Sequence, residues 1–185
     1  MKIAITNATI FNGTGGKPFV GTVLDDGNRI VSVSKGKNRV TADDYIDGSG
    51  KFLMPGMTEG HAHLSFDSVT ATEDLITPPP EEHTLLTARV AKTLLDHGFT
   101  SAYGASEAKL RLGVAVRNEV DAGRLAGPRI RAGSLEITVT GGLGDESRLH
   151  NQRNAPSMII DGPEEMRKAV RLSCREGCDN IKLDV

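Results

Sequence analysis

The chain is organised around one stretch, Met54-Pro55-Gly56-Met57-Thr58-Glu59-Gly60-His61-Ala62-His63-Leu64. Side chains alternate between the two faces of an extended strand, so His61 and His63 project in the same direction and can reach one metal ion. Pro55-Gly56 marks a sharp entry into that strand, which predicts one folded unit before it and another beginning with it. Two histidines on a strand are also compatible with hydrogen-bonded structural residues, so further ligands have to come from elsewhere.

Composition limits the classes of protein to which the chain can belong. Its 185 residues, 38% hydrophobic, suffice for one ordinary domain or for a small domain and part of a larger one. The net charge of -2, with both signs interspersed, provides no basic stripe, so no nucleic-acid partner and no membrane partner is expected. We find no signal-peptide pattern and no apolar run of about 20 residues, which predicts a cytoplasmic location.

Residues 1–54 are predicted to form short strands separated by turns. The strands are expected at Lys2–Thr6, Thr9–Phe11, Phe19–Leu24, Arg29–Val33, Tyr45–Ile46 and Phe52–Leu53. Asp25-Asp26-Gly27-Asn28, between two apolar runs, is the clearest hairpin. The pattern predicts a small β-sandwich, or part of one, with a scaffolding role.

After His63 the pattern changes to strands that alternate with helices, which is typical of parallel β/α units. Strands are predicted at Phe99–Tyr103, Arg129–Gly133 and Asn180–Val185. Three helices are expected: one from about Thr77 to Gly98 with Leu86, Val90 and Leu94 inward, one from about Ser106 to Gly123, and one after Asp161 with Met166, Val170 and Cys174 inward. The glycine-rich stretch from Leu135 to Ile160 is predicted to be an irregular binding loop.

The number of strands limits the architecture. A closed (β/α)8 TIM barrel takes about 250 residues, whereas residues 55–185 provide about four βα units. An open half would leave unpaired parallel edges and an exposed apolar face, which soluble proteins avoid. We therefore predict an α/β fold in which a small β-sandwich (1–54) precedes the first half of a barrel (55–185), with the other half supplied by further sequence or by a separate chain.

Pro55-Gly56-Met57-Thr58-Glu59-Gly60-His61-Ala62-His63 resembles the Pro-Gly-hydrophobic-x-Asp-x-His-x-His signature of the amidohydrolase superfamily. The resemblance covers essentially the whole chain, and the leader Asp47–Gly56 is similar to the end of that family's N-terminal sandwich. It points to the imidazolonepropionase-like and Xaa-Pro dipeptidase-like members. It implies a metal-activated hydroxide that attacks a carbonyl carbon on a (β/α)8 barrel, with His61 and His63 as metal ligands.

Lys182 is the second residue to which the resemblance gives a role. In the dinuclear branch of the family, a lysine that ends the fourth barrel strand is carboxylated by carbon dioxide and bridges two divalent metal ions, here expected to be zinc. Ile181-Lys182 matches that place, which makes Lys182 both a metal ligand and a catalytic group. A lysine on a strand is otherwise usually solvated. The family's remaining ligands, two histidines and an aspartate from later strands, would lie beyond Val185.

Other candidate residues concern the substrate. Tyr103 is expected to orient a carbonyl or line a pocket wall, with core packing as the alternative, and His150 is a candidate substrate contact. His83 and His97, at the ends of the first predicted helix, are expected on the surface. The chain departs from its relatives at Glu59, where they carry aspartate, at Tyr103-Gly104, where they often carry Arg-Asp, and in Gly141-Gly142-Leu143-Gly144-Asp145, where they often carry Gly-Gly-His-Gly-Asp.

The sequence thus predicts a metal-dependent hydrolase that cleaves a C–N bond in a small amide, cyclic amide or peptide-like substrate, and that forms a homo-oligomer. The alternatives are a mononuclear deaminase of the same superfamily, without a bridging lysine, and a non-catalytic half-barrel that needs a second chain. The 185 residues alone are expected to be inactive, because they cannot complete the family's metal shell.

Overall fold

The chain divides into two compact units, Met1–Pro55 and Gly56–Val185, in a computed structural model that describes residues 1–150 and 155–184. The division falls one residue from the predicted boundary. The described part of the chain contains no helix that is long and apolar enough to cross a membrane.

The first unit is a five-stranded sheet. Its strands are β1 (Lys2–Ile10), β2 (Phe19–Asp26), β3 (Arg29–Lys35), β4 (Asp44–Asp47) and β5 (Phe52–Leu53), in the order β3-β2-β1-β4 with β5 also paired to β1. The predicted hairpin joins β2 to β3 through Gly27, whose φ of 63° suits glycine. The two strands predicted before Asn12 are one strand, interrupted by a bulge at Asn7. The predicted sandwich, which needs a second layer, stays a prediction.

The second unit alternates parallel strands with helices, which confirms a mixed α/β fold. Its strands are β6 (Met57–Ala62), β7 (Phe99–Gly104), β8 (Arg129–Arg131), β9 (Gly133–Thr138), β10 (Ser157–Ile159) and β11 (Asn180–Leu183). They form two three-stranded parallel sheets, in the orders β6-β7-β8 and β10-β9-β11. The helices are α1 (Glu73–Ile76), α2 (Pro80–Asp96), α3 (Leu112–Asp121) and α4 (Pro163–Arg175).

The predicted third strand is broken at Ala132. The Ala132 amide donates to the Asp179 carboxylate (2.7 Å), and the Ala132 carbonyl accepts from the Asp179 amide (2.8 Å), so neither group is left for a strand ladder. At Gly133 the backbone approaches β7 so closely that an added Cβ would lie 2.7 Å from the Gly104 carbonyl oxygen. Gly133 is therefore required for this approach and does not end the strand, which was the error in the prediction.

The expected irregular loop between Leu135 and Ile160 is also partly wrong. Residues as far as Thr138 continue β9, and Ser157–Ile159 pair with β9 as the parallel strand β10. Just after β9, the Thr140 amide and hydroxyl donate hydrogen bonds to the Asp161 carboxylate, which follows β10. Residues 151–154 of the predicted loop lie outside the described residues.

The helices differ from their predictions in three respects: the buried positions of α2, the start of α3 and the buried positions of α4. The fully buried positions of α2 are His83, Thr87 and Ala91, because polar groups of the first two are satisfied inside the protein. Helix α3 begins at Leu112 rather than near Ser106. In α4 the buried residues are Ala169 and Ser173, while Cys174 is exposed, contrary to prediction. The main core contains Leu64, Ala91, Ala102, Val114, Val116 and Ile130.

Candidate metal centre

His61 and His63 lie at the carboxyl end of β6, and their rings meet edge to face with centroids 5.0 Å apart. The β6–β7 ladder is irregular between Glu59 and Ala62, and the His61 amide there donates to the Glu59 carboxylate (3.0 Å). Bulges of this kind re-aim side chains at functional edges. The His63 ring also stacks on Phe66, with centroids 4.5 Å apart. The two imidazoles are therefore neighbours, as the alternation predicted.

The His63 ring is held through its Nδ1 atom. Nδ1 lies 3.2 Å from the Ser106 carbonyl oxygen and 3.0 Å from Ser106 Oγ. Because a carbonyl oxygen only accepts, this contact favours the tautomer in which Nδ1 carries the hydrogen and Nε2 presents a lone pair. This is the usual state of a metal-binding histidine, whose other ring nitrogen donates to a carbonyl or carboxylate.

Lys182 lies on β11 opposite Glu136 of β9. Its Nζ is 3.4 Å from a carboxylate oxygen of Asp184, whose side chain is only 5% exposed. The other Asp184 oxygen, Oδ2, is buried, and in addition to the effect of burial a side-chain hydrogen bond between Asp184 and Glu136 raises the pKa of Glu136. Glu136 in turn accepts a hydrogen bond from Ser106 Oγ at 3.1 Å. Glu136 and Ser106 therefore connect Lys182 to His63.

The pKa values of His63 and Glu136 respond to burial and to the charges of neighbouring groups, namely His61, Lys182 and Asp184. Burial lowers the pKa of His63, the Ser106 carbonyl opposes this, and His61 and Lys182 lower the pKa further. Burial also raises the pKa of Glu136, and the nearby charge of Asp184 adds to that increase. The lowered pKa favours the neutral form of His63, which is the form that binds a metal.

These residues fit part of a divalent-metal site. Among residues 1–150 and 155–184 no three histidine, cysteine, aspartate or glutamate side chains are placed to hold a metal ion. Two imidazoles are available, and Lys182 would add an oxygen ligand only after carboxylation. The buried Asp184 carboxylate, which pairs with Lys182 Nζ at 3.4 Å, is compatible with a cation in this region.

A second polar network lies beside the first and corrects the prediction for His83. His83 is 1% exposed, and its Nε2 donates to the Ser65 carbonyl (2.8 Å) while its Nδ1 accepts from Lys109 Nζ (2.9 Å). Glu107 accepts from the Ser65 amide (3.1 Å), and burial raises the pKa of Glu107 to about 7. His97, by contrast, is exposed as expected.

The structure places the two predicted substrate residues at the surface. Tyr103 is 44% exposed in these 185 residues, so both of its predicted roles, substrate contact and core packing against further sequence, stay predictions. It lines a shallow depression of about 190 Å³ with Thr58, Arg129 and Arg131, and none of His61, His63 and Lys182 lines that depression. His150 is exposed as well. Their substrate roles stay predictions.

Sequence reasoning missed Ser106, Glu136 and Asp184. The alternation that was applied to His61 and His63 also puts Lys182 and Asp184 on one face of β11, and Ser134 and Glu136 on one face of β9. The predicted third strand ends at Gly133 and therefore does not include Glu136. Ser106 was assigned to a helix, and its sequence context alone does not point to the histidine.

Known proteins resemble the chain, some over most of its length and one over about a third. A model of the amidohydrolase family matches residues 52–184. Ochratoxinase of Aspergillus niger is 28% identical over 89% of this chain and 35% of its own length. A 5'-deoxyadenosine deaminase of Methanothermobacter thermautotrophicus is 43% identical over 35% of this chain and 14% of its own length. A crystal structure of a Xaa-Pro dipeptidase with bound methionine has a TM-score of 0.83 at 24% identity, over 99% of this chain and 47% of the dipeptidase. The chain thus spans about a third to half of the length of the relatives that match most of it.

Proposed function

Because the chain belongs to the amidohydrolase family, we propose that it is part of a metal-dependent hydrolase that cleaves a C–N bond in a small amide, cyclic amide or peptide-like substrate. The family match confirms the resemblance found in the sequence. The names of its relatives, ochratoxinase and Xaa-Pro dipeptidase, support a hydrolytic function. The metal and the substrate are proposals.

One observation carries the proposal: the neighbouring imidazoles of His61 and His63, of which His63 keeps Nε2 available because its Nδ1 donates to Ser106. Lys182 belongs to the same electrostatic cluster. We propose that His61 and His63 bind one divalent ion and that carboxylated Lys182 bridges it to a second. Zinc accepts both nitrogen and oxygen ligands, so it is the metal we expect.

When bound, two such ions supply a nucleophilic water at neutral pH and polarise the scissile carbonyl. The chain's own residues hold the ligands in place: Ser106 orients His63, and Glu136 and Asp184 surround Lys182. Carboxylation would convert the Lys182 cation into an anionic oxygen ligand of the kind that divalent metals prefer. Tyr103 and His150 remain the proposed substrate contacts.

We further propose that the rest of the metal shell comes from sequence outside residues 1–185, on the same chain or on a second one. The second unit would then be the first half of a (β/α)8 barrel, whose active site lies at the carboxyl ends of the strands. Two facts support this proposal. The chain spans less than half of the relatives' length, and the described residues hold no complete ligand set.

The test uses the complete protein, purified with its metals. Zinc content is measured by elemental analysis, and hydrolysis is measured on a panel of N-acyl amino acids, Xaa-Pro dipeptides and cyclic amides. We expect bound divalent metal, hydrolysis of at least one class, and loss of both in the His61→Ala/His63→Ala double variant. His97→Ala, an exposed histidine, is the matched control. A protein without divalent metal, or a double variant that still hydrolyses its substrate, would exclude the proposal.

A deaminase is the second candidate, favoured by the segment that is 43% identical to 5'-deoxyadenosine deaminase. Deaminases of this superfamily are expected to use one metal and no carboxylated lysine. Mass spectrometry at neutral pH separates the two candidates. A hydrolase should carry the added mass of one carbon dioxide, lost on acidification and absent from Lys182→Ala, whereas a deaminase should carry none.

A further inference from the structure

The Glu136 side chain is linked to His63 through the hydroxyl of Ser106. We propose that Glu136 is a positioning residue that acts through Ser106: it takes the Ser106 hydroxyl hydrogen, so that Ser106 Oγ can only accept from His63 Nδ1. The inference rests on the proposed function in one respect: the His63 tautomer matters because Nε2 is proposed to bind a metal. Its geometry does not depend on a bound metal.

The number of available hydrogens determines the direction of the hydrogen bonds around Ser106 Oγ. Ser106 Oγ lies 3.1 Å from Glu136 Oε1 and 3.0 Å from His63 Nδ1, and Ser106 is fully buried. A hydroxyl group has one hydrogen. With that hydrogen directed to Glu136, Oγ and the Ser106 carbonyl oxygen are both acceptors for Nδ1–H. Every partner of Nδ1 then requires the tautomer in which Nε2 is free.

The neighbours of Glu136 restrict the position of its side chain. Its backbone lies on β9, opposite Lys182 of β11 and Ser157 of β10. Its second carboxylate oxygen, Oε2, lies against Gly144, where an added Cβ would be only 2.9 Å away. The carboxylate is therefore confined between the turn after β9 and Ser106, which favours a single orientation.

Loss of Glu136 would release the hydroxyl hydrogen. Ser106 Oγ could then donate to His63 Nδ1, in competition with the carbonyl, and the hydrogen of the ring would move to Nε2. A histidine in that tautomer cannot bind a metal through Nε2. The removal of outer partners of metal-binding histidines typically lowers metal affinity about 10- to 100-fold.

The test observes the ring nitrogens of His63 in the metal-free complete protein, by nitrogen-15 long-range correlation spectra assigned with His63→Ala. The wild-type protein should show a protonated Nδ1 and an unprotonated Nε2. Glu136→Ala should populate the Nε2–H tautomer. Glu136→Gln should act in the same direction while keeping the side-chain volume, because its amide nitrogen can donate to Ser106 Oγ.

The decisive variant is Ser106→Ala combined with Glu136→Ala. It removes the competing hydroxyl, so the Ser106 carbonyl alone should restore Nδ1–H. Zinc affinity, measured by competition with a fluorescent chelator, should fall about 10- to 100-fold in Glu136→Ala and recover in part in the double variant. A general loss of structure could not be reversed by a second truncation. Ser173→Ala, which removes another fully buried hydroxyl, is the control.

Two results would overturn the inference: a wild-type tautomer in both Glu136 variants, or a double variant that keeps the Nε2–H tautomer. A wild-type protein that binds no zinc but shows the predicted tautomer changes would instead exclude the proposed function and leave this inference supported.

Discussion

His63 and His83 belong to two polar networks that meet at adjacent residues, Ser106 and Glu107, yet only one of these histidines suits a metal. Both nitrogens of His83 are satisfied inside the protein, by the Ser65 carbonyl and by Lys109. His63 is engaged only through Nδ1 among the described residues. The availability of a ring nitrogen, rather than burial or spacing, therefore distinguishes the candidate ligand from the structural residue.

The largest effect is expected when His83 and His63 are each replaced by alanine. His83→Ala should lower the free energy of unfolding by about 3 kcal/mol, because it opens a cavity and leaves a buried carbonyl without its donor. His63→Ala should cost about 1 kcal/mol or less, since the ring is half-buried, but should abolish zinc binding. Urea denaturation and zinc titration measure the two quantities.

The informative result is that His83→Ala mainly lowers stability, whereas His63→Ala mainly removes zinc binding. The ring of His97 is exposed and, in the part of the chain that the structure describes, is hydrogen-bonded to the Thr93 carbonyl, so His97→Ala should change neither quantity. If His83→Ala removed zinc binding while His63→Ala only destabilised the protein, the two assignments would have to be exchanged.

A smaller effect concerns the pH dependence of the free energy of unfolding, which involves Glu107 in the network around His83. Burial raises the pKa of Glu107 from 4.5 to about 7, so the folded protein binds more protons than the unfolded chain between these values. The contribution of Glu107 to stability is thus greatest below about pH 4.5 and falls as the pH rises to about 7, by on the order of 3 kcal/mol in total. Part of this pH range lies below the pH at which unfolding is usually measured, so the measurable fall in the free energy of unfolding is smaller.

Glu107→Gln isolates this contribution, because it keeps the shape and removes the titration. The difference in free energy of unfolding between wild type and Glu107→Gln should change in favour of the variant from about pH 5 to about pH 8. Parallel curves for the two proteins across that range would show that Glu107 does not titrate as its burial implies.

The smallest effect concerns the turn beside Glu136. Gly144 and Gly141 both have positive φ, of 84° and 76°, so alanine at either position should cost about 1–2 kcal/mol from the left-handed conformation. Only at Gly144 would the new Cβ meet Glu136, at 2.9 Å, whereas at Gly141 nothing lies within 4 Å. Gly144→Ala should therefore lower zinc affinity and Gly141→Ala should not. Equal affinities would show that the turn does not constrain Glu136.

Much of the fold was accessible from the sequence because local chemistry determines it. The Gly27-Asn28 turn, the alternation of strands with helices and the adjacent positions of His61 and His63 depend on residues close together in the chain. The metal-site interpretation of Lys182 depended on the family resemblance and stays a proposal.

The errors arose where distant residues decide the outcome. Gly133 resembles a strand terminator, but its hydrogen side chain is needed because Gly104 approaches from another strand. His83 was expected at the surface because only apolar positions were used to define the buried stripe of α2, although Lys109 and Ser65 satisfy its ring. Ser106 acquires its role through His63 and Glu136, which lie far away in the sequence.

The most direct test of the central claim is anomalous X-ray diffraction from crystals of the complete protein, collected on both sides of the zinc absorption edge. We predict a peak within bonding distance of Nε2 of His63 and of the His61 ring, a second peak beside it, and density that extends the Lys182 amine as a carboxylate between the two. A zinc-replete crystal with no anomalous peak at His61 and His63 would contradict the account.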